Sequence, residues 1–136
     1  LTFVFVGVYI FLKSQDHKNP LLKFLGPMAI LIGIFSFFYH ATFTFAGQFL
    51  DLGSMYLFSS YLIILNLRRL NKEFFTTRKL VFVFLLILST SLLTTYFIRP
   101  TNNFSICYPI FGLQVLAIII LEWRLYKRNT NNYKIR

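Results

Sequence analysis

Two ionisable side chains interrupt a long apolar stretch of the sequence, and each has a polar neighbour at helical spacing. His40 follows Ser36 by four residues and Asp51 follows Gln48 by three, so each pair shares one face of a helix. An Asp in the middle of a membrane costs roughly 2.5–3.5 kcal/mol on insertion scales. An imidazole can bind a metal, a carboxylate can orient or deprotonate a water, and a hydroxyl can support either. These four residues form the candidate site.

Each candidate residue also has a purely structural interpretation. A single His near a helix end is more often an interfacial or hydrogen-bonded residue than a metal ligand. Ser36 can bond back to a carbonyl of its own helix, and Asp51 can be a charge at a helix start or at the membrane interface. The other histidine, His17, lies between Asp16 and Lys18 in a polar linker and is a weak ligand candidate.

Uncharged segments define the helices that must position these residues, because a bilayer-crossing helix needs about 20 mostly apolar residues. The segment 24–67 carries one charge, Asp51, and is long enough for two spans. The whole pattern predicts a partial span at 1–12, a polar linker at 13–23, two spans within 24–67 joined by a tight turn at 42–47, a basic loop at 68–79, a span at 80–98, a turn at 99–103, a span at 104–121 and a polar tail at 129–136. We therefore expect an all-α integral membrane protein with four complete transmembrane helices and one partial helix.

The composition excludes several classes of protein. Of the 136 residues 57% are hydrophobic and only 13% are charged, about half the charged share of a soluble domain. The net charge is +10, yet the basic residues fall between long uncharged runs instead of covering one folded face. A soluble domain, a disordered chain and a nucleic-acid partner are thus excluded, and the expected surroundings are a lipid bilayer.

The positions of the basic residues predict the orientation in the membrane. If the spans alternate in direction, 13 of the 14 Lys and Arg residues lie on one side, and Arg99 lies on the other. Loops rich in Lys and Arg stay in the cytoplasm. The basic loops are therefore expected to be cytoplasmic, which places the turn at 42–47 and the candidate site near the external leaflet.

Cysteine and glycine add little. Cys107 is the single cysteine, so neither an internal disulfide nor a thiolate metal site is expected. The glycines contain no GxxxG match, and the sequence does not define which helix faces pack closely.

The segment 33–56 resembles the alkaline ceramidase family, which belongs to a superfamily that includes the adiponectin-receptor-like proteins. The family pattern is Ser, then His four residues later, then Gln and Asp eight and eleven residues after that His, with a Met shortly beyond. Ser36, His40, Gln48, Asp51 and Met55 match it at these spacings.

This resemblance implies a seven-helix membrane hydrolase in which a zinc ion, held by three histidines, activates a water that cleaves the amide bond of a ceramide-like N-acyl lipid. By position, it implies that His40 is a zinc ligand, Asp51 the water-directing carboxylate and Ser36 the supporting hydroxyl. Gln48 would contact these residues without binding the zinc ion itself, or would only pack against them. The implied partner is thus a lipid amide substrate.

The family takes its other two zinc ligands from a His-x-x-x-His pair in its last helix, whereas this sequence has only His17 and His40. We expect residues 1–128 to be an incomplete ceramidase-like domain, inactive by itself, with the last two helices beyond residue 136. A non-catalytic receptor-like protein and a small transporter are the alternatives. Zinc content and amide hydrolysis by the complete protein would separate them from a lipid amidase.

Overall fold

The described parts of the chain are almost entirely helical. The computed structural model describes residues 2–15, 20–71, 76–97 and 107–134. Its helices are α1 (Thr2–Ser14), α2 (Pro20–Lys23), α3 (Leu25–Thr42), α4 (Phe45–Leu70), α5 (Thr77–Phe97) and α6 (Cys107–Lys134). Within these ranges there is no strand, so the predicted all-α class is confirmed. His17 and the predicted turn at 99–103 lie outside the described residues.

Among the described residues, four helices are long and apolar enough to cross a membrane. They are α3, α4, α5 and the segment Pro109–Arg128 of α6. The 13 residues of α1 are apolar but too few to span a bilayer, as expected for a partial helix. The large side chains on the outer helix faces are mostly Phe, Leu and Ile, which suits contact with lipid chains. Four membrane-length helices and one shorter apolar helix therefore match the predicted architecture.

The helices are longer, and the connections between them shorter, than the hydropathy pattern predicts. The tight turn consists of Phe43 and Thr44 alone, because α4 already begins at Phe45. The predicted basic loop is also shorter, since Arg68 and Arg69 form the last turn of α4. Arg is a good helix former and is favoured at a helix C-terminus by the helix dipole. A charged residue therefore ends the apolar span without ending the helix.

The same effect extends the last helix. The predicted span ends at residue 121, but α6 runs on to Lys134, so most of the polar tail is a continuation of the helix. Between the predicted span and the tail, Trp123 and Tyr126 lie among the charged residues of the segment 122–128. Long Lys and Arg side chains let a helix leave the membrane while their charged ends stay in water.

The chain divides into two compact units, Leu1–Phe58 and Ser59–Arg136. In the first unit α1 packs along α3 at glycine contacts. A Cβ atom on Gly26 would lie 2.6 Å from the backbone N of Phe11, and one on Gly33 would lie 2.9 Å from the backbone N of Val4. The two helices thus approach each other more closely than any larger residue allows, and this pair holds one arm of the hairpin that carries the candidate site.

A buried hydrogen-bond network joins three helices of the second unit. The Ser59 hydroxyl on α4 donates to Oε1 of Gln114 on α6. The Gln114 amide in turn donates to Oγ of Ser91 on α5 at 2.8 Å. All three side chains are buried, where an unpaired polar group would be costly. Hydrogen bonds between membrane helices contribute about 0.6–2 kcal/mol each, so this network helps to select the packing partners.

Candidate active site

A two-residue turn sets the geometry of the hairpin between α3 and α4. Phe43 ends α3 in the left-handed conformation, with φ 49° and ψ 29°, and its N–H donates to the Tyr39 carbonyl at 2.7 Å. Thr44 directly precedes α4, and its hydroxyl oxygen accepts a hydrogen bond from the Gly47 N–H at 3.1 Å. A Cβ atom on Gly47 would lie 3.0 Å from the Tyr39 Cα, so the two arms are in close contact beside the turn. The turn therefore brings the end of α3 against the beginning of α4.

Ser36, His40 and Asp51 lie together across this hairpin. The Asp51 carboxylate accepts a hydrogen bond from the Ser36 side chain and lies within electrostatic range of the His40 imidazole. Ser36 and Asp51 are half-buried, whereas His40 is exposed one helical turn nearer the end of α3. The structure thus brings three of the four candidate residues together. Their roles in catalysis and metal binding stay predictions.

Two aromatic rings stand beside the His40 imidazole. The centroid of the Tyr39 ring lies 5.2 Å from that of His40, and the Phe43 ring meets the imidazole edge-on at 6.3 Å. Packing of this kind restricts the orientations of the imidazole. The Phe and Tyr residues at 35–45 look like packing and lipid-contact residues in the sequence. Nothing in the sequence indicates the left-handed backbone of Phe43, since Gly or Asn is usual at such a helix end.

Gln48 occupies the turn of α4 that precedes Asp51. It is half-buried, and its backbone N–H donates to the Thr44 carbonyl at 3.0 Å. Among the contacts of the described residues, none joins the Gln48 amide to the other three candidates, so its supporting role also stays a prediction. Ser54 is buried, and its hydroxyl donates a hydrogen bond to the Asp51 backbone carbonyl at 2.7 Å. No pattern in the sequence indicates this contact.

The resemblance to ceramidases extends beyond the segment around the hairpin. The family model described as Ceramidase matches residues 1–136. The chain belongs to the Ceramidase family. Membership of a family of membrane hydrolases agrees with the four membrane-length helices, and the chain is a multi-pass membrane protein. Comparison with curated proteins and with solved structures finds no match.

This ceramidase-family chain presents donor groups of the kinds that zinc prefers, an imidazole and a carboxylate. His40 and Asp51 supply one of each, on facing arms of the hairpin. A catalytic zinc site commonly has three protein ligands. Within the described residues, no three His, Cys, Asp or Glu side chains lie close enough together to hold a metal ion. The His40 imidazole is therefore a donor of the type that zinc prefers, and a zinc ion bound there would need further ligands from outside the described residues.

Proposed function

We propose that the protein hydrolyses the amide bond of a ceramide-like N-acyl lipid by means of a zinc-activated water. The observation that carries this proposal is the Ser36–Asp51 hydrogen bond beside His40, within a chain of the Ceramidase family. A hydroxyl, a carboxylate and an imidazole of adjacent helices are the groups that metal-assisted amide hydrolysis uses.

His40 would hold the zinc ion together with ligands from outside the described helices. When bound, zinc lowers the pKa of a water to about 7 and polarises a carbonyl group. The exposed position of His40 at the end of α3 leaves its imidazole open to further ligands. The rings of Tyr39 and Phe43 limit its rotation, which favours one direction of approach.

Asp51 would act as the proton carrier of the reaction. Its carboxylate oxygen takes a proton from the attacking water and returns it to the amide nitrogen as the C–N bond breaks, so that amide and water give a carboxylic acid and an amine. The hydrogen bond from Ser36 holds the carboxylate in one orientation. A carboxylate fixed in this way needs little reorganisation during the reaction, which is the advantage of a preorganised site.

The lipid substrate would enter sideways from the membrane. Large aromatic side chains surround the hairpin end and are exposed, with Phe43 at 76% and Phe45 at 52%. An apolar surface of this kind suits the acyl chains of a lipid amide. Because Lys and Arg dominate the loops at the opposite ends of these helices, we place those loops in the cytoplasm and the site near the external leaflet.

The test compares substitutions of His40 and His17, made separately in the full-length protein. His40→Ala should lose bound zinc and amide hydrolysis together, with a fall in turnover of more than about 100-fold, since losing even an indirect partner of a metal commonly costs 10–100-fold. Zinc content of the purified protein and release of fatty acid from a short-chain ceramide are the measurements. His17→Ala removes a histidine outside the candidate site and serves as the matched control.

Unchanged turnover in His40→Ala would remove this residue from the site. A wild-type protein that contains no zinc and releases no fatty acid would contradict the proposed function itself. That result would favour a non-catalytic receptor-like or transporter-like membrane protein.

A further inference from the structure

One end of the unit Ser59–Arg136 concentrates positive charge from three helices. The ion pair between Arg69 and Glu122, at 3.2 Å, holds the last turn of α4 beside α6. The Arg128 side chain donates a hydrogen bond to the Leu70 carbonyl, which places a later turn of α6 at the end of α4. Since α5 begins at Thr77, shortly after α4 ends, its first turn belongs to the same end. We call five exposed cations there the basic end: Arg68, Arg78, Arg124, Lys127 and Arg128.

Within the described part of this unit, few acidic groups balance the charge of the basic end. Among the described residues of this unit, Glu122 is the one acidic side chain, and it already pairs with Arg69. Arg124, Lys127 and Arg128 occupy one face of α6 at spacings of three and four residues, where like charges destabilise a helix. An external anion at this face would relieve the repulsion.

Aromatic residues place this face at the level of the lipid headgroups. Trp123 is 68% exposed and Tyr126 is 70% exposed, while Leu125 between them is buried. Trp and Tyr gather where the hydrocarbon core meets water. Arg124 and Lys127 each directly follow one of these aromatic residues in the sequence, so their charged ends reach the depth at which lipid phosphates lie.

We propose that the basic end binds the headgroups of anionic phospholipids in the leaflet that faces it. An anionic leaflet attracts Lys and Arg side chains near its surface, and clusters of such residues beside a membrane helix recognise anionic headgroups. The planar guanidinium of Arg124 can form two parallel hydrogen bonds to a phosphate, and Lys127 adds a second charge one turn further on. This surface is independent of the proposed hydrolysis, because it uses no residue of the hairpin site.

The single Trp of this sequence provides the measurement. The full-length protein, with any Trp outside this sequence replaced by Phe so that Trp123 is its one Trp, is reconstituted into phosphatidylcholine vesicles that contain brominated lipids, with bromine atoms near the headgroup end of the acyl chains. Bromine quenches Trp fluorescence at short range, so quenching of Trp123 reports which lipid lies beside it. We expect brominated phosphatidylglycerol to quench several-fold more effectively than brominated phosphatidylcholine at the same mole fraction, and the difference to shrink at high salt.

Charge-removing variants test whether the basic end is the cause. Arg124→Gln with Lys127→Gln should bring the two brominated lipids to nearly equal quenching, since each lost charge lowers the relative affinity by about 5-fold, equivalent to about 1 kcal/mol. Lys13→Gln with Lys23→Gln removes the same charge from the other unit and should leave the preference intact. Three results would overturn the proposal. They are equal quenching by the two lipids in the wild-type protein, an unchanged lipid preference in the Arg124/Lys127 variant, and equal losses of preference in both double variants.

Discussion

The hydrogen bond between Ser36 and Asp51 depends on the length of the turn between their helices. In α3, Ser36 and His40 share a face because they are four residues apart, and this much follows from helical periodicity. Successive residues of a helix lie about 100° apart around its axis, so the residue at which the turn ends and α4 begins fixes which side chains of α4 face α3. The hydropathy pattern leaves up to six residues at 42–47 unassigned, whereas the structure uses two, Phe43 and Thr44. The tight turn thus decides which face of α4 meets Ser36.

At the scale of single residues, we expect Ser36→Ala to reduce amide hydrolysis by the full-length protein. The substitution removes the hydrogen bond to the Asp51 carboxylate and leaves His40 in place. Loss of a group that orients a catalytic residue commonly lowers activity by about 10–100-fold. Release of fatty acid from a short-chain ceramide measures the effect, and bound zinc should change much less than in His40→Ala.

Two further variants distinguish orientation of Asp51 from a general effect on folding. Ser36→Thr keeps the hydroxyl and should recover part of the lost activity. Ser89→Ala removes an exposed hydroxyl that bonds only to the Leu86 carbonyl of its own helix, and its activity should match that of the wild type. Full activity in Ser36→Ala would show that Asp51 works without this hydrogen bond.

At the scale of the elements, close contact between α1 and α3 depends on glycine. Neither a GxxxG match nor the hydropathy pattern marks this interface, because Gly26 and Gly33 are seven residues apart. Both nevertheless lie where the backbone of α1 comes nearest. Small residues allow membrane helices to approach closely, and the resulting packing replaces the hydrophobic drive that lipid surroundings cannot supply.

We expect Gly26→Ala to destabilise the protein. Ala is the better helix former by about 1 kcal/mol, but its methyl group would lie 2.6 Å from the Phe11 backbone N, which cannot move without separating the helices. Overpacking of this kind costs about 1–3 kcal/mol and should outweigh the helix propensity. The thermal unfolding midpoint of the detergent-solubilised protein is the measurement.

Gly112→Ala is the matched control for this prediction. A Cβ atom at Gly112 meets no other heavy atom within 4 Å, so the substitution should be neutral or raise the midpoint slightly. If both variants unfold at the same temperature, the close approach of α1 and α3 contributes nothing to stability.

At the scale of the whole molecule, hydropathy and charge predict two different properties, the positions of the membrane helices and the direction in which they cross. The uncharged runs define where helices cross the membrane, and the 14 Lys and Arg residues, which fall almost entirely on alternate connections, define the predicted direction of crossing. A short apolar helix and four longer ones agree with the first point. Orientation needs an experiment on intact cells or sealed vesicles.

We expect the hairpin turn and the α4–α5 connection to lie on opposite sides of the membrane. In the full-length protein with Cys107 and any other native cysteine replaced by Ser, a single cysteine introduced by Ala46→Cys should react with a membrane-impermeant maleimide from the external side. Asn71→Cys should react only after the membrane is opened. Both positions are exposed, so accessibility within the protein does not limit labelling. Reaction of both cysteines from the same side would contradict the proposed topology.

The sequence by itself determined the all-α class, the number of membrane-length helices, the family resemblance and the candidate residues at the hairpin. These properties depend on sums and spacings along one chain. Only the tertiary structure decided the two-residue turn at Phe43, the glycine contacts of α1 with α3, and the pairing of Ser59 and Ser91 through Gln114. The physical reason is that lipid is as apolar as the helix surfaces themselves. Hydropathy therefore places a helix in the membrane, while its rotation and its neighbours depend on close packing and on a few polar contacts.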